Sequence, residues 1–356
     1  MVQPIDQLPS ITLSPNNADE LETEFLLHPR GLISWEVIFR NPTQMRNFLL
    51  SERELDWWGE KQPEFVREYI QKNKDIFAGR QFRFCGLTKD QPFLMGIVNV
   101  TPDSFSDGGE FLSPDDAITK GLSLMGEGAD IIDVGGESTR PGAQEISAEE
   151  EKARVIPVVE GLAAAGATVS VDTRHSETME AAIQAGAKII NDISALTDDE
   201  KALAVIKKYP HVSLILMHKQ GQPNNMQNNF QYNHVITDVY DYLLKRVRAC
   251  EKAGIERARI SVDPGIGFGK SVQHNLDLMG RLSLLRGIGC IVTLGASRKS
   301  FIAAVSRDVP PNERVYGSLS AAMWSVRQGA GILRVHDVNE TKQALDVWQA
   351  VQNAGY

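Results

Sequence analysis

Residues 166–193 read GATVSVDTRHSETMEAAIQAGAKIINDI, and the order of residue types in them decides the architecture. A short run carrying Val169 and Val171 ends on Asp172, a stretch with helical spacing follows, and a second run with Ile189 and Ile190 ends on Asn191. Short apolar runs that each precede a helical stretch suit parallel strands covered on both faces by crossover helices. Working outward, the same unit recurs, with strands expected at 93–100, 130–134, 168–172, 188–191, 212–217, 259–262, 291–295 and 331–335. Eight such units within roughly 260 residues meet the length and layering of a closed (β/α)8 barrel, and an open doubly wound sheet is the structural rival. Helix starts support the register. Ser113 precedes Pro114 and Asp115, and Ser147 precedes Glu149 and Glu150. Each pattern supplies a capping hydroxyl and first-turn features suited to a helix N-terminus.

The chain has 356 residues, which accommodates one barrel plus an appendage. The first 20 residues have the proline and asparagine content of a loose tail. Residues 21–79 are expected to form a small, mainly helical extension, with helices over 41–50 and 64–77 and an apolar stripe of Phe65, Tyr69, Ile70 and Phe77 on the second. Trp35, Trp57 and Trp58 crowd the same region, a pattern for packing or oligomer contact rather than a ligand cage. Residues 81–86 alternate as a short strand and are assigned to the barrel domain, 80–356. A formal net charge of -9 argues against a surface built to neutralise nucleic-acid phosphates. Cys85, Cys250 and Cys290 lack the spacing of a disulfide framework or thiolate metal site. The opening residues hold prolines and acids and no apolar run of signal length, so neither export nor membrane insertion is indicated and a cytoplasmic location is expected.

The expected strand ends are unusually polar: Asn99, Asp133, Asp172, Thr173, Asn191, Asp192, His218, Asp263, Lys299, Arg334 and His336. A lone residue of this kind commonly caps a backbone group, but its recurrence on every side of one barrel mouth suits a site. Asp133, Asp172 and Asn191 could exchange hydrogen bonds with a flat amino-heterocycle, since buried carboxylates need donors to offset desolvation. Arg140, Lys299, Arg334 and His336 supply positive charge for a phosphate or carboxylate group. Asn99 offers one oxygen to Mg2+ whose other ligands would be phosphate oxygens and water. The string DPGIGFGK at 263–270 lacks nucleotide-loop spacing, so Lys270 is weak evidence for phosphate. His218 and His336 are too isolated for a zinc site.

At these residues the sequence resembles the dihydropteroate synthase family. The resemblance rests on MGIVNVTPDSFSDGG (95–109), ADIIDVGGESTRPGA (129–143), SVDT (170–173), INDI (190–193), LMHKQGQPNNMQ (216–227), DPGIGFGK (263–270), SRKSFI (297–302) and RVHDV (334–338), in the family's order from about residue 90 to the end. It implies condensation of 6-hydroxymethyl-7,8-dihydropterin diphosphate with 4-aminobenzoate, with Mg2+ assisting. It further implies that Asp133, Asp172, Asn191, Met217, Asp263 and Lys299 contact the pterin, that Asn99, Arg334 and His336 hold diphosphate, and that Asn99 is the magnesium-associated position. Phe105, Thr139, Arg140, Pro141, Phe268 and Ser300 match positions at the aminobenzoate pocket. The catalytic set is then Asp172, Lys299, Arg334 and His336, and a homodimer is the expected assembly. Lys219 stands where the family usually has methionine, and the N-terminal region has no counterpart in the common bacterial enzyme. Pterin-dependent methyl transfer, or pterin binding without turnover, are the alternatives; the STRPG and SRKS segments favour a synthase because they suit a second substrate and its anion.

Overall fold

The computed structural model describes residues 25–29, 34–41, 44–78, 81–101, 113–138, 145–221 and 230–354. They belong to two compact units, Met1–Arg80 with Arg281–Gly289, and Gln81–Gly280 with Cys290–Tyr356.

In the first unit, strands β1 (Phe25–Pro29), β2 (Ser34–Asn41) and β3 (Gln44–Ser51) form an antiparallel sheet in that order. Helices α1 (Glu52–Gly59) and α2 (Glu64–Ala78) follow. Ser51 starts α1 through a reciprocal capping box with Glu54. Phe25, Val37, Phe48, Leu50, Trp58 and Ile70 meet in the core, whereas Trp57 is exposed. The helix expected over 41–50 is therefore a strand, paired with β2 from Ser34↔Ser51 to Asn41↔Gln44. Its apolar residues had suggested helical spacing, yet Phe48 and Leu50 are buried and Leu49 between them is exposed, the two-residue alternation of a pleated strand. The extension thus carries a sheet as well as the expected helix over its last part. A 3-10 segment, Leu282–Ile288, joins this unit from far along the chain and packs on β1 and α2. His28 stands at that junction, with Nε2 3.1 Å from Glu36 Oε2 and Nδ1 2.9 Å from Ser283 Oγ. Arg281 Nε also donates to Glu36 Oε2, at 3.1 Å.

The second unit opens with a hairpin of β4 (Phe82–Phe84) and β5 (Leu87–Lys89). Eight parallel strands then close into a barrel: β6 (Phe93–Asn99), β7 (Ile131–Gly135), β8 (Val169–Asp172), β9 (Ile189–Asp192), β10 (Ser213–Met217), β11 (Ile260–Asp263), β12 (Ile291–Leu294) and β13 (Ile332–Val335). Every strand neighbours its successor, and β13 returns to β6. Between them run α3 (Pro114–Gly126), α4 (Ala148–Ala164), α5 (Ser176–Gln184), α6 (Ala202–Lys208), α7 (Val235–Lys252), α8 (Val272–Gly280), α9 (Ser300–Val305) and α10 (Val315–Arg327), with α11 (Val338–Ala354) last. Ser113 and Ser147 cap α3 and α4 through their hydroxyls, as their sequence contexts predict. Phe84 of the hairpin packs with Phe93, Met95, Ile131, Ile189, Ile215 and Ile332, an apolar layer at the N-terminal end of the barrel.

That layer positions the chemistry. Side chains on one face of a strand recur every second residue, so the next inward residue after Ile131 is Asp133, after Ile189 is Asn191, after Ile215 is Met217 and after Ile332 is Arg334. A polar layer consequently stands on an apolar plug, toward the C-terminal mouth of the barrel. Among the described residues, no helix is long and apolar enough to cross a membrane.

Candidate active site

Strand register brings the rim together. Asn99 pairs with Gly135, Gly135 with Asp172, and Asp172 with Asn191, so these four positions lie on one row around four strands. Glycine at 135 leaves room on that row: a methyl group there would sit 3.7 Å from both Asn99 Oδ1 and Asp172 Cβ. Asp133 is wholly buried. Its Oδ2 accepts from Arg334 Nε at 2.6 Å and from Asn191 Nδ2 at 3.2 Å. Arg334 Nη2 donates to Asp172 Oδ2 at 2.8 Å, so one guanidinium spans two carboxylates. Burial pushes the Asp172 carboxyl above its ordinary range against the pull of Arg334, with Asp133, Glu151 and Asp192 adding like charge.

Asp263 ends β11 almost fully buried, and its Oδ1 accepts from the Gly265 amide at 2.7 Å. Burial raises its pKa too. Lys299 lies with its ammonium 4.2 Å from the centre of the Phe268 ring. Burial and the neighbouring Arg334 bring it down to about 8, while Asp263 and Asp172 oppose that shift. Met217 and Phe268 pack with Ile193 into a small apolar wall. The site thus offers carboxylates, an amide, two cations and an aromatic face around one mouth, a set fitted to a polar ring bearing an anionic group.

His336 Nδ1 is 3.0 Å from Ser297 Oγ, and its ring lines a cavity of about 320 Å³ with Lys120, Arg298 and Asp337. Ser300 is exposed on the first turn of α9. Phe105, Thr139, Arg140 and Pro141 lie outside the described residues.

Two features escaped the sequence reading. Lys270, weak as a phosphate candidate, is 3% exposed and donates to Phe268 O at 2.9 Å and His218 O at 3.3 Å, with its Nζ also 3.0 Å from His218 Nδ1. Burial lowers Lys270 to about 7 and His218 to about 2, so His218 is a neutral acceptor and Lys270 a post supporting the glycine-rich loop. The loop needs that closeness: Gly265 has φ +67°, and a Cβ there would lie 2.0 Å from His218 O. The second feature is a group of Glu137, Glu151 and His175 that offers one ligand atom each, all within 4.8 Å of one another, a donor set able to hold a divalent cation. Glu151 Oε2 already accepts from Thr173 Oγ1 at 2.6 Å and lies 3.0 Å from His175 Nδ1. Glu137 forms a two-point pair with Arg174.

A family model described as pterin binding enzyme matches residues 95–336, from within β6 to just past β13. The dihydropteroate synthase of Haemophilus influenzae is 46% identical over 264 residues, 74% of this chain and 95% of that protein. The chain belongs to the dihydropteroate synthase family. Solved structures of the family superpose on it. The Xanthomonas albilineans dihydropteroate synthase with 4-aminobenzoic acid is 45% identical with a TM-score of 0.71, covering 77% of this chain and 98% of that one. The Burkholderia cenocepacia dihydropteroate synthase complexed with 7,8-dihydropteroate is 42% identical with a TM-score of 0.69, covering 76% and 94%. These family-wide matches account for the barrel and its mouth.

Proposed function

We propose that this chain condenses 6-hydroxymethyl-7,8-dihydropterin diphosphate with 4-aminobenzoate, forming 7,8-dihydropteroate and diphosphate. The observation that carries the reading is Asp133: its carboxylate is sealed in the barrel, Oδ2 is satisfied by Arg334 and Asn191, and Oδ1 has no partner among the described residues. A buried acceptor left unpaired costs on the order of 1–3 kcal/mol, so a ligand that brings an N–H to it is favoured, as a pterin ring with its amino group would be.

In this reading Asp133, Asn191, Met217 and Asp263 bind the pterin ring. Lys299 lies between ring and anion, while Arg334, His336 and Asn99 receive the diphosphate. The arylamine lies against Phe268 and Ser300, with Phe105, Thr139, Arg140 and Pro141 assigned to the same pocket. The amine nitrogen attacks the pterin methylene as its bond to the diphosphate oxygen breaks; the electron pair leaves on the diphosphate and the amine afterwards loses a proton. Arg334 and Lys299 stabilise the departing negative charge, and Asp172 balances positive charge spreading over the ring and methylene. A neutral arylamine is already nucleophilic, so no covalent enzyme intermediate and no strong general base is required.

Asn99 fits Mg2+ carried with the diphosphate, because it presents an oxygen donor beside the open row at Gly135 and Asp172. The ion would supply charge neutralisation for the leaving group. A cytoplasmic homodimer completes the proposal. Incubation of both substrates with and without Mg2+, followed by chemical identification of the product, tests it. Dihydropteroate formed only with Mg2+ is the expected result. Diphosphate release without dihydropteroate would indicate hydrolysis and refute the synthase reading, as would methyl transfer from a methylated pterin to a corrinoid.

A further inference from the structure

Lys219, the departure from the family pattern, does not stand alone. Its Nζ donates to Asp198 Oδ2 at 2.6 Å, and the same oxygen lies 3.9 Å from Arg174 Nη1. Arg174 then grips Glu137 through two bonds of 3.0 Å. The four side chains follow β10, β9, β8 and β7 respectively, and none is more than 17% exposed. Exposed ion pairs contribute little, but a partly buried chain of charges sharing a planar guanidinium loses less freedom per contact and holds geometry better.

Both ends of this relay pin backbone. Glu137 Oε1 accepts from the Ile146 amide at 3.3 Å, joining two points of the chain that flank residues 139–141 in sequence. At the other end, Gln220, next to Lys219, exchanges bonds with the backbone of Gln231: Nε2 to O at 2.9 Å, and N to Oε1 at 2.7 Å. Tyr232 Oη in turn donates to Gly269 O at 2.8 Å, and Lys270 ties His218 O to Phe268 O. A continuous set of contacts therefore runs from Glu137 to the loop that carries Phe268.

We propose that Glu137, Arg174, Asp198 and Lys219 are positioning residues that set the Phe268 loop and the backbone at Glu137 and Ile146 in a fixed mutual arrangement, and thereby govern affinity for the arylamine substrate. The proposal rests on the dihydropteroate synthase reading above. Asp133 and Asn191 hang from barrel strands, bond to each other and to Arg334, and take no part in the relay, so pterin affinity should respond far less than arylamine affinity.

A double-mutant cycle between Lys219→Met and Glu137→Gln tests the coupling, because among the described residues the ion pairs that join these two run through Asp198 and Arg174. Each single variant should raise KM for 4-aminobenzoate by about threefold to thirtyfold, the usual range for coupling through a packed network. The double variant should be no worse than the poorer single one, since the relay is already broken. The dissociation constant of a pterin analogue should change less than about twofold by the same additivity argument, and Lys219→Arg should restore the parent KM. Effects that multiply in the double variant, or equal losses for both substrates, would overturn the relay; so would unchanged KM values. A second cycle with Asp198→Asn in place of Glu137→Gln guards against a folding defect in one variant. The parent chain is assayed first: absence of dihydropteroate there refutes the functional reading and the relay with it, whereas turnover with independent variants refutes the relay alone.

Discussion

Asp133→Asn should weaken pterin binding by about 2–4 kcal/mol, about 30- to 700-fold in Kd. The magnitude follows from the two oxygens. In the parent, Oδ2 receives Arg334 Nε and Asn191 Nδ2, while Oδ1 waits for a donor. An asparagine keeps the shape but has one acceptor and one donor end. If its amide nitrogen faces Arg334, a donor meets a guanidinium; if it faces the ring, a donor meets the ligand's N–H. Either orientation replaces a charge-assisted hydrogen bond, roughly twice as strong as a neutral one, by a repulsive contact. Arg334 still has Asp172 to pair with, so the variant should fold. Calorimetric titration with a non-reacting pterin analogue reads the loss, and circular dichroism checks the fold. A folded variant with Kd within about threefold of the parent, under 1 kcal/mol, would show that Asp133 is a structural partner of Arg334 and does not meet the ring.

Catalysis by kcat/KM should decline along an alkaline limb centred near pH 8 as Lys299 loses its proton, and Lys299→Arg should move that limb upward because a guanidinium stays charged; an unmoved limb would clear Lys299 of this role. Stability runs the opposite way, since a buried lysine with a lowered pKa carries its charging cost below about 8 and is relieved as pH rises toward the ordinary lysine range, so thermal melts across the limb should show no matching loss. Gly265→Ala should cost about 3–5 kcal/mol by combining left-handed backbone with overlap on His218 O, and a melting midpoint within about 2 °C of the parent would contradict that geometry. Removing residues 1–80 strands Leu282, Leu284, Leu285 and Ile288, which are buried in the first unit, so the shortened chain should aggregate; a monodisperse, fully active product in size-exclusion chromatography would show that these residues need no such cover.

The barrel is legible because its strands are short, apolar and separated by helical stretches, and because a polar residue stands near the end of nearly every one. The same two-residue periodicity that buries Ile131 and Ile332 also aims Asp133 and Arg334 inward, so the heart of the site can be read from the strands. The strand at 44–51 is not legible because Leu49 is an apolar residue facing outward, which breaks the alternation and leaves a helix-like spacing. The relay was invisible for another reason. Glu137, Arg174, Asp198 and Lys219 each sit on a different loop, 37 and 21 positions apart at the two ends, and no local pattern reports a contact between loops. Lys270 shows the same limit: its sequence neighbours make it no more than weak evidence for phosphate, whereas its partner His218 stands just past β10, 52 positions away.

The segment Arg281–Gly289 gives the N-terminal unit a history as well as a shape. His28 and its partner Ser283 are separated by 255 positions, so a chain emerging from the ribosome presents β1, β2 and β3 long before the piece that completes their unit exists. At about 5–20 residues per second, the wait is about 13–50 s. During that interval the apolar surface awaiting Leu282, Leu284 and Leu285 has no native cover. The usual advantage of an N-terminal module, folding first and independently, is denied to this one: six barrel strands, β6 to β11, are synthesised before the unit can close, and β12 and β13 after. Completion of the first unit is thereby interleaved with assembly of the barrel, so a fault that delays either one prolongs the exposure of the other.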